Sequence, residues 1–313
     1  MFTLDNLLFK LASSGKRVPP IWLVIPLAWV VLLISSFGGA IAVIIILILR
    51  LPKGTNLAEM PTNKVAALAM PQSNFEQFLF LVTAFGGVYL VLWLWLRFAE
   101  ERPFSTLGFL PQDGLFNFVR GLVVGFVIFS IPIGCMAIAG YYALQPFSLS
   151  SMIAVMGGVT VIFLGWVVQG SAEEVIFRGW VFPVVSVKSN VYIGIIVSSL
   201  LFAFGHIFNS NLSILAMVNL TLFGIFATVY AMYEEGLWGI CAIHAVWNWT
   251  QGNIYGLEVS GNRISGGSLL VLDETGPDII TGGLFGPEGG LAVSLMLCIG
   301  IAVISWLGLE KKA

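Results

Sequence analysis

The sequence predicts an all-α polytopic membrane protein with about eight transmembrane helices and a polar site inside the helical bundle. Three observations lead there. Hydrophobic residues make up 58% of the 313-residue chain and charged residues only 10%, where a soluble domain carries about 25% charged. The mean hydropathy is +0.98. The apolar residues gather in runs of roughly 20, the length a helix needs to cross the hydrocarbon. A net charge of −2 argues against a nucleic-acid partner, so the lipid bilayer is the first partner implied.

Residues 1–20 place Leu4, Leu7, Leu8 and Leu11 at helical spacing, with Lys10, Lys16 and Arg17 nearby. They read as an amphipathic helix at the membrane interface, not as a typical cleavable signal. Residues 21–150 hold N-terminal transmembrane helices, with spans expected at 21–49, 77–98 and 115–144. Residues 151–254 form a core with spans at 151–182, 190–208, 212–233 and 236–254. The first and fourth runs are long enough to tilt, bend or protrude. Residues 255–288 are a polar, glycine-rich loop, a form that is usually functional or disordered; it serves either as a connector or as a cap over a site. Residues 289–313 supply the last span, 289–309, and a tail. Cys135, Cys241 and Cys298 have no paired spacing and read as buried small hydrophobes.

Orientation follows from the cationic residues. A cytoplasmic N-terminus and C-terminus puts Lys10, Lys16, Arg17, Arg97, Arg102, Arg120, Arg178, Lys188, Lys311 and Lys312 inside and only Arg50, Lys53, Lys64 and Arg263 outside.

The core contains six charged side chains. Glu234 and Glu235 fit a turn, and Lys188 fits another. Glu173, Glu174 and Arg178, in the stretch SAEEVIFRGW, have no loop to explain them, and an ionised group in the bilayer is costly. Glu174 and Arg178 are four apart on a helix, in the favourable order for pairing. Glu173 points about 100° away and has no local partner. A carboxylate buried in that way becomes a stronger base, which suits a general base working near neutrality.

The two histidines fall in the same region. Glu173 and His206 lie at similar distances on either side of a turn near residues 187–190, so a helical hairpin brings them to one depth. FAFGH sets Phe202 one helical turn before His206, and HAVWN puts His244 and Asn248 on one face. Each feature alone has a plain alternative. An ion pair can merely lock helices together, a membrane His or Asn commonly hydrogen-bonds to a neighbouring helix, and Phe202 can simply pack. One shared polar site made of Glu173, Glu174, Arg178, His206, His244 and Asn248 accounts for all of them together.

The ordered motifs EEVIFR, FAFGH and HAVWN resemble those of the CAAX prenyl protease and bacteriocin-processing (Abi) family of intramembrane endopeptidases. EERPFSTLGF (100–109) and GPEGG (286–290) are similar to stretches in bacterial members, which implies a bacterial plasma membrane. The resemblance implies hydrolysis of a peptide bond in a membrane-associated protein or peptide, prenylated or otherwise hydrophobic. In that scheme Glu173 activates water with help from His206. His244 and Asn248 stabilise the oxyanion, and Glu174 and Arg178 hold the site together. The family is often labelled metalloproteases, and zinc, if present, would be held by Glu173, His206 and His244. An H-E-x-x-H arrangement is absent, however, and a carboxylate–histidine pair can activate water without a metal. Two other functions compete: a non-catalytic membrane chaperone or interaction partner on the same fold, and a proton-coupled transporter, for which matching inverted halves are missing.

Overall fold

A computed structural model describes residues 2–52, 54–56 and 59–311. Lys53 and Lys312, both counted in the charge asymmetry, lie outside the described residues. The architecture is helical, as the composition requires. Helix α1 spans Leu7–Ala12, α2 Ile21–Arg50, α3 Thr62–Ala69 and α4 Asn74–Trp95, the last continuing as a π-helix to Glu100. Next come α5 (Gly114–Ile138) and α6 (Leu149–Glu174), which runs without a break through a π segment, Val175–Val181, into α7 (Phe182–Lys188). Then follow α8 (Val191–Phe204), α9 (Ile214–Glu234), α10 (Trp238–Trp249), α11 (Asp278–Thr281) and α12 (Leu291–Glu310).

Among the described residues six helices are long and apolar enough to cross a membrane: α2, α4 with its π turn, α5, the 40-residue rod from α6 to α7, α9 and α12. Their outward faces carry large apolar side chains such as Ile44, Val123 and Leu295, as a lipid-facing surface needs.

Two of the eight expected spans fall short. Helix α8 has 14 residues, about 21 Å at 1.5 Å per residue, against roughly 30 Å of hydrocarbon. It gives way at Gly205, and the apolar stretch continues as turns through His206, with Asn211 in the left-handed region at φ 58°. Helix α10 has 12 residues before it widens into a π turn, Thr250–Ile254. Its residues Gly239–Asn248 are all buried, because α5, α6 and α9 pack around it. Its hydrophobicity serves a protein interior and not a lipid contact.

Packing places α10 at the centre. Helices α2, α4, α6 and α10 contact one another in that order on one side, and α10, α5, α12, α9 and α8 complete the other. The α6–α10 contact is close at Gly170, where a Cβ would lie 2.9 Å from the Ala245 backbone nitrogen. The terminal segment packs against this core. Leu8, Phe9 and Ala12 of α1 are buried, the Phe9 ring meets Phe182 at 5.3 Å, and Asn6 Nδ2 donates to Met232 O at 2.8 Å.

The loop at 255–288 has structure that its composition does not announce. Strand β1 (Tyr142–Leu144) pairs antiparallel with β2 (Leu272–Glu274), with Ala143 opposite Asp273. A two-stranded ribbon thus fastens the loop to the α5–α6 connection.

One local expectation is corrected. Cys135 and Cys298 are exposed and only Cys241 is buried; the first two sit on faces that address apolar surroundings, where a small thiol is as much at home as in a core. Glu234 ends α9 at the expected turn, and Glu235 follows it in the left-handed region at φ 57°. The Glu234 carboxylate is buried, accepts from Arg120 Nη2 at 2.9 Å and caps Gly239 N at 2.8 Å. Arg120, counted as an inside charge, is its partner on α5.

Candidate active site

The site is built where α6, α8 and α10 meet. On α6, Gln169 and Glu173 share a face, and Glu174 points away toward Arg178 in the π segment. The wider turn frees backbone carbonyls, and Ser198 Oγ of α8 donates to one of them, Phe177 O, at 2.8 Å.

Two hydrogen-bond chains converge. In the first, Asn248 Nδ2 donates to Gln169 Oε1 at 2.8 Å and Gln169 Nε2 donates to Glu173 Oε1 at 2.7 Å. In the second, Glu174 Oε1 accepts from Arg178 Nη1 at 3.1 Å and from His244 Nδ1 at 2.7 Å. Because Glu174 is the acceptor, His244 carries its hydrogen on Nδ1. Its Nε2 faces the other glutamate, 3.7 Å from Glu173 Oε2, too far for a direct hydrogen bond. Glu173 Oε2 is buried without a hydrogen-bond partner of its own.

The Glu174–Arg178 pair stands as expected, with both side chains fully buried. Arg178 has a second stabilising contact: its guanidinium lies over the Phe202 ring, 4.4 Å from the centroid, a cation–π geometry strengthened by the absence of water. Phe202 therefore does more than pack. Its ring also lies 4.9 Å from that of His206, as the FAFGH spacing predicts, and 6.0 Å from that of His244.

The expectation that Glu173 lacks a local partner is corrected: Gln169, one turn earlier on the same face, holds it. The spacing was visible, but a neutral side chain raises no electrostatic alarm. His206 lines the same cavity as Glu173, as the hairpin geometry predicts. His244 is the one within ion-pairing distance of Glu173. His206 sits just past the end of α8, partly buried, with Nδ1 2.9 Å from Phe202 O. That carbonyl accepts, so His206 carries hydrogen on Nδ1 and leaves Nε2 as a free acceptor.

Glu173, His206, His244 and Asn248 all line one cavity of about 810 Å³. Glu174 and Arg178 stand behind its wall. Trp29 and Leu33 of α2 and Phe80 of α4 make an apolar side, and Ser260, Arg263 and Glu288 from the 255–288 segment line it too. The late loop is therefore part of the cavity wall. Glu288, of the GPEGG stretch, secures it: its carboxylate accepts from Trp247 Nε1 at 3.2 Å and from Ser260 N and Oγ at 2.9 and 2.6 Å. The sequence marks the GPEGG stretch only through the family resemblance, which assigns Glu288 no role.

A zinc held by Glu173, His206 and His244 does not fit. Among the described residues no group of three His, Cys, Asp or Glu side chains is placed to hold a metal ion.

The fold and this buried acid–histidine site define a polytopic helical membrane protein with a polar chamber among its helices. Residues 155–250 match the family described as Rce1-like, type II CAAX prenyl endopeptidase Rce1-like. The match over this segment supports the resemblance read from the three motifs. No curated protein and no solved structure matches the chain.

Proposed function

We propose that the protein is an intramembrane endopeptidase that hydrolyses a peptide bond of a membrane-associated substrate with water activated at Glu173. The observation that carries this reading is Glu173 Oε2, a buried carboxylate oxygen without a hydrogen bond, on a cavity wall and 3.7 Å from His244 Nε2. Gln169 fixes the other oxygen, so the free one has a defined direction. It takes a proton from water as that water attacks the carbonyl carbon. His206, through Nε2, is the second acceptor available at the cavity. Asn248 has one amide hydrogen beyond the one it gives Gln169, and this supports its role as an oxyanion donor. His244 shares that role once Nε2 takes up a proton, and the Glu174 carboxylate stabilises the resulting imidazolium. Arg178 and Glu174 hold the arrangement.

The substrate arrives as a membrane-associated protein or peptide, because the cavity joins an apolar wall to a polar end. The excess of cationic residues near the chain ends and their neighbours supports an inward-facing N-terminus and C-terminus, and the sequence resemblance supports a bacterial plasma membrane.

Detergent-purified wild type and Glu173→Ala, incubated with fluorogenic farnesylated and unprenylated peptides, test the reading. Cleavage by wild type and none by the variant is expected. Equal cleavage by both removes Glu173 from the reaction.

A further inference from the structure

The stretch EERPFSTLGF is not used by the chemistry above, yet it is built into the site helix at two points. At the end of α4, Glu100 is 1% exposed. Its Oε1 accepts from two indoles, Trp95 Nε1 at 2.7 Å and Trp180 Nε1 at 2.6 Å, while Oε2 accepts from Arg102 Nε at 2.7 Å. Arg102, also buried, donates onward to Thr106 Oγ1 at 3.0 Å. Trp180 lies two residues after Arg178 in the π segment. The second point is Gly179, where a Cβ would stand 3.0 Å from Leu107 O and 2.8 Å from Leu237 Cδ1. Arg178-Gly179-Trp180 is thus gripped from the loop side immediately beyond the ion pair with Glu174.

A π segment is a loosened helix whose backbone needs outside partners. This one has Ser198 at Phe177 O and Glu100 at the Trp180 indole. The rotation of residues 178–180 decides where the Arg178 guanidinium sits between Glu174 and Phe202, and Glu174 in turn sets His244 through its Nδ1. We propose that Glu100 is a positioning residue for the site, acting through Trp180 on the Arg178–Glu174–His244 chain. A charged carboxylate serves because a single oxygen must accept two indole hydrogens while its twin holds Arg102.

Trp95 provides the comparison. It gives the same oxygen the same kind of bond from α4 itself, and its ring meets that of Trp180 edge-on at 6.3 Å; Trp95→Phe keeps an aromatic ring there and removes the indole bond that does not come from the site helix. The chain has two histidines, so protein labelled with ¹⁵N-histidine reports each ring by NMR without a cleavage assay. In detergent-solubilised full-length protein, Trp180→Phe is expected to shift the His244 ring signals while Trp95→Phe leaves them in place. Trp180→Tyr, a milder change, replaces Trp180→Phe if that variant does not fold. The kinetic arm rests on the proteolytic reading: Trp180→Phe should lower kcat about tenfold or more with KM unchanged, and Trp95→Phe should keep both. Equal behaviour of the two variants in the ring spectra overturns the positioning role. If wild type cleaves no peptide while only Trp180→Phe moves the His244 signals, the proteolytic reading fails and the positioning role stands.

Discussion

At the residue scale, the two neighbouring glutamates differ through their partners. Glu174 accepts two charge-bearing or polarised hydrogens and is enclosed. Glu173 accepts one amide hydrogen, lines the cavity and leaves Oε2 without a hydrogen bond. Glu173→Gln preserves shape and burial, so the protein should unfold at the wild-type temperature while cleavage falls by a factor on the order of 10²–10⁴; parallel calorimetry and peptide assays check both halves. Arg178 gives the opposite pattern. Removing it leaves Glu174 buried without its counter-charge, a loss of about 3–5 kcal/mol, and Arg178→Ala should show a clear drop in thermal midpoint in detergent. Arg178→Lys should recover only part of it, because an ammonium lacks the planar face that lies on Phe202.

How much of this was legible follows from the same residues. Glu174–Arg178 and His244–Asn248 are separated by one helical turn, and ionisable or polar groups inside apolar runs are conspicuous. Gln169 sits at that same spacing from Glu173 but is uncharged, so it passes as an ordinary helix residue. Glu100 and Glu288 reach the site region from 80 or 41 positions away in the chain, and no local pattern encodes such a contact. Hairpin geometry predicts His206 in the cavity with Glu173, where it lies. Hydropathy carries no sign that α8 ends at Phe204 or that the His206 ring turns onto the Phe202 carbonyl.

At the scale of elements, sequence hydropathy distinguishes apolar from polar surroundings but not lipid from protein. That is why the sequence predicts full spans at α8 and α10. Helix α10 is apolar because other helices enclose it, and its shortness lets the 255–288 segment come close beneath it. The approach of α6 to α10 is the contact that brings Glu173 opposite His244. Gly170→Val should therefore push the helices apart: with a backbone atom 2.9 Å from the new Cβ, the cost falls in the about 1–3 kcal/mol range of overpacking. Activity should drop more than stability, since the 3.7 Å Glu173–His244 separation widens with the helices. Melting curves read beside kcat test this; an intact kcat would show that the contact is not what sets the site.

At the scale of the whole molecule, the chamber is assembled from distant parts: α2 and α4 give an apolar wall, α6, α8 and α10 the polar end, and the ribbon-tethered late loop the remainder. Its acid and imidazole groups do not converge as a metal ligand set. Cleavage by the purified protein is accordingly expected to survive EDTA and 1,10-phenanthroline and to gain nothing from added zinc; abolition by both chelators with recovery on zinc would reverse that expectation.

The apolar wall has one more consequence. Leu33 and Phe208 both line the chamber and are 62% and 97% exposed, and Leu33 belongs to the apolar span α2, so the chamber borders a helix suited to hydrocarbon. A molecule entering there comes by sliding within a two-dimensional sheet, and its encounter frequency is set by its mole fraction among the lipids. In liposomes holding fixed amounts of protein and substrate, adding inert phospholipid to the same bilayers should slow turnover, although nothing in the bulk volume has changed.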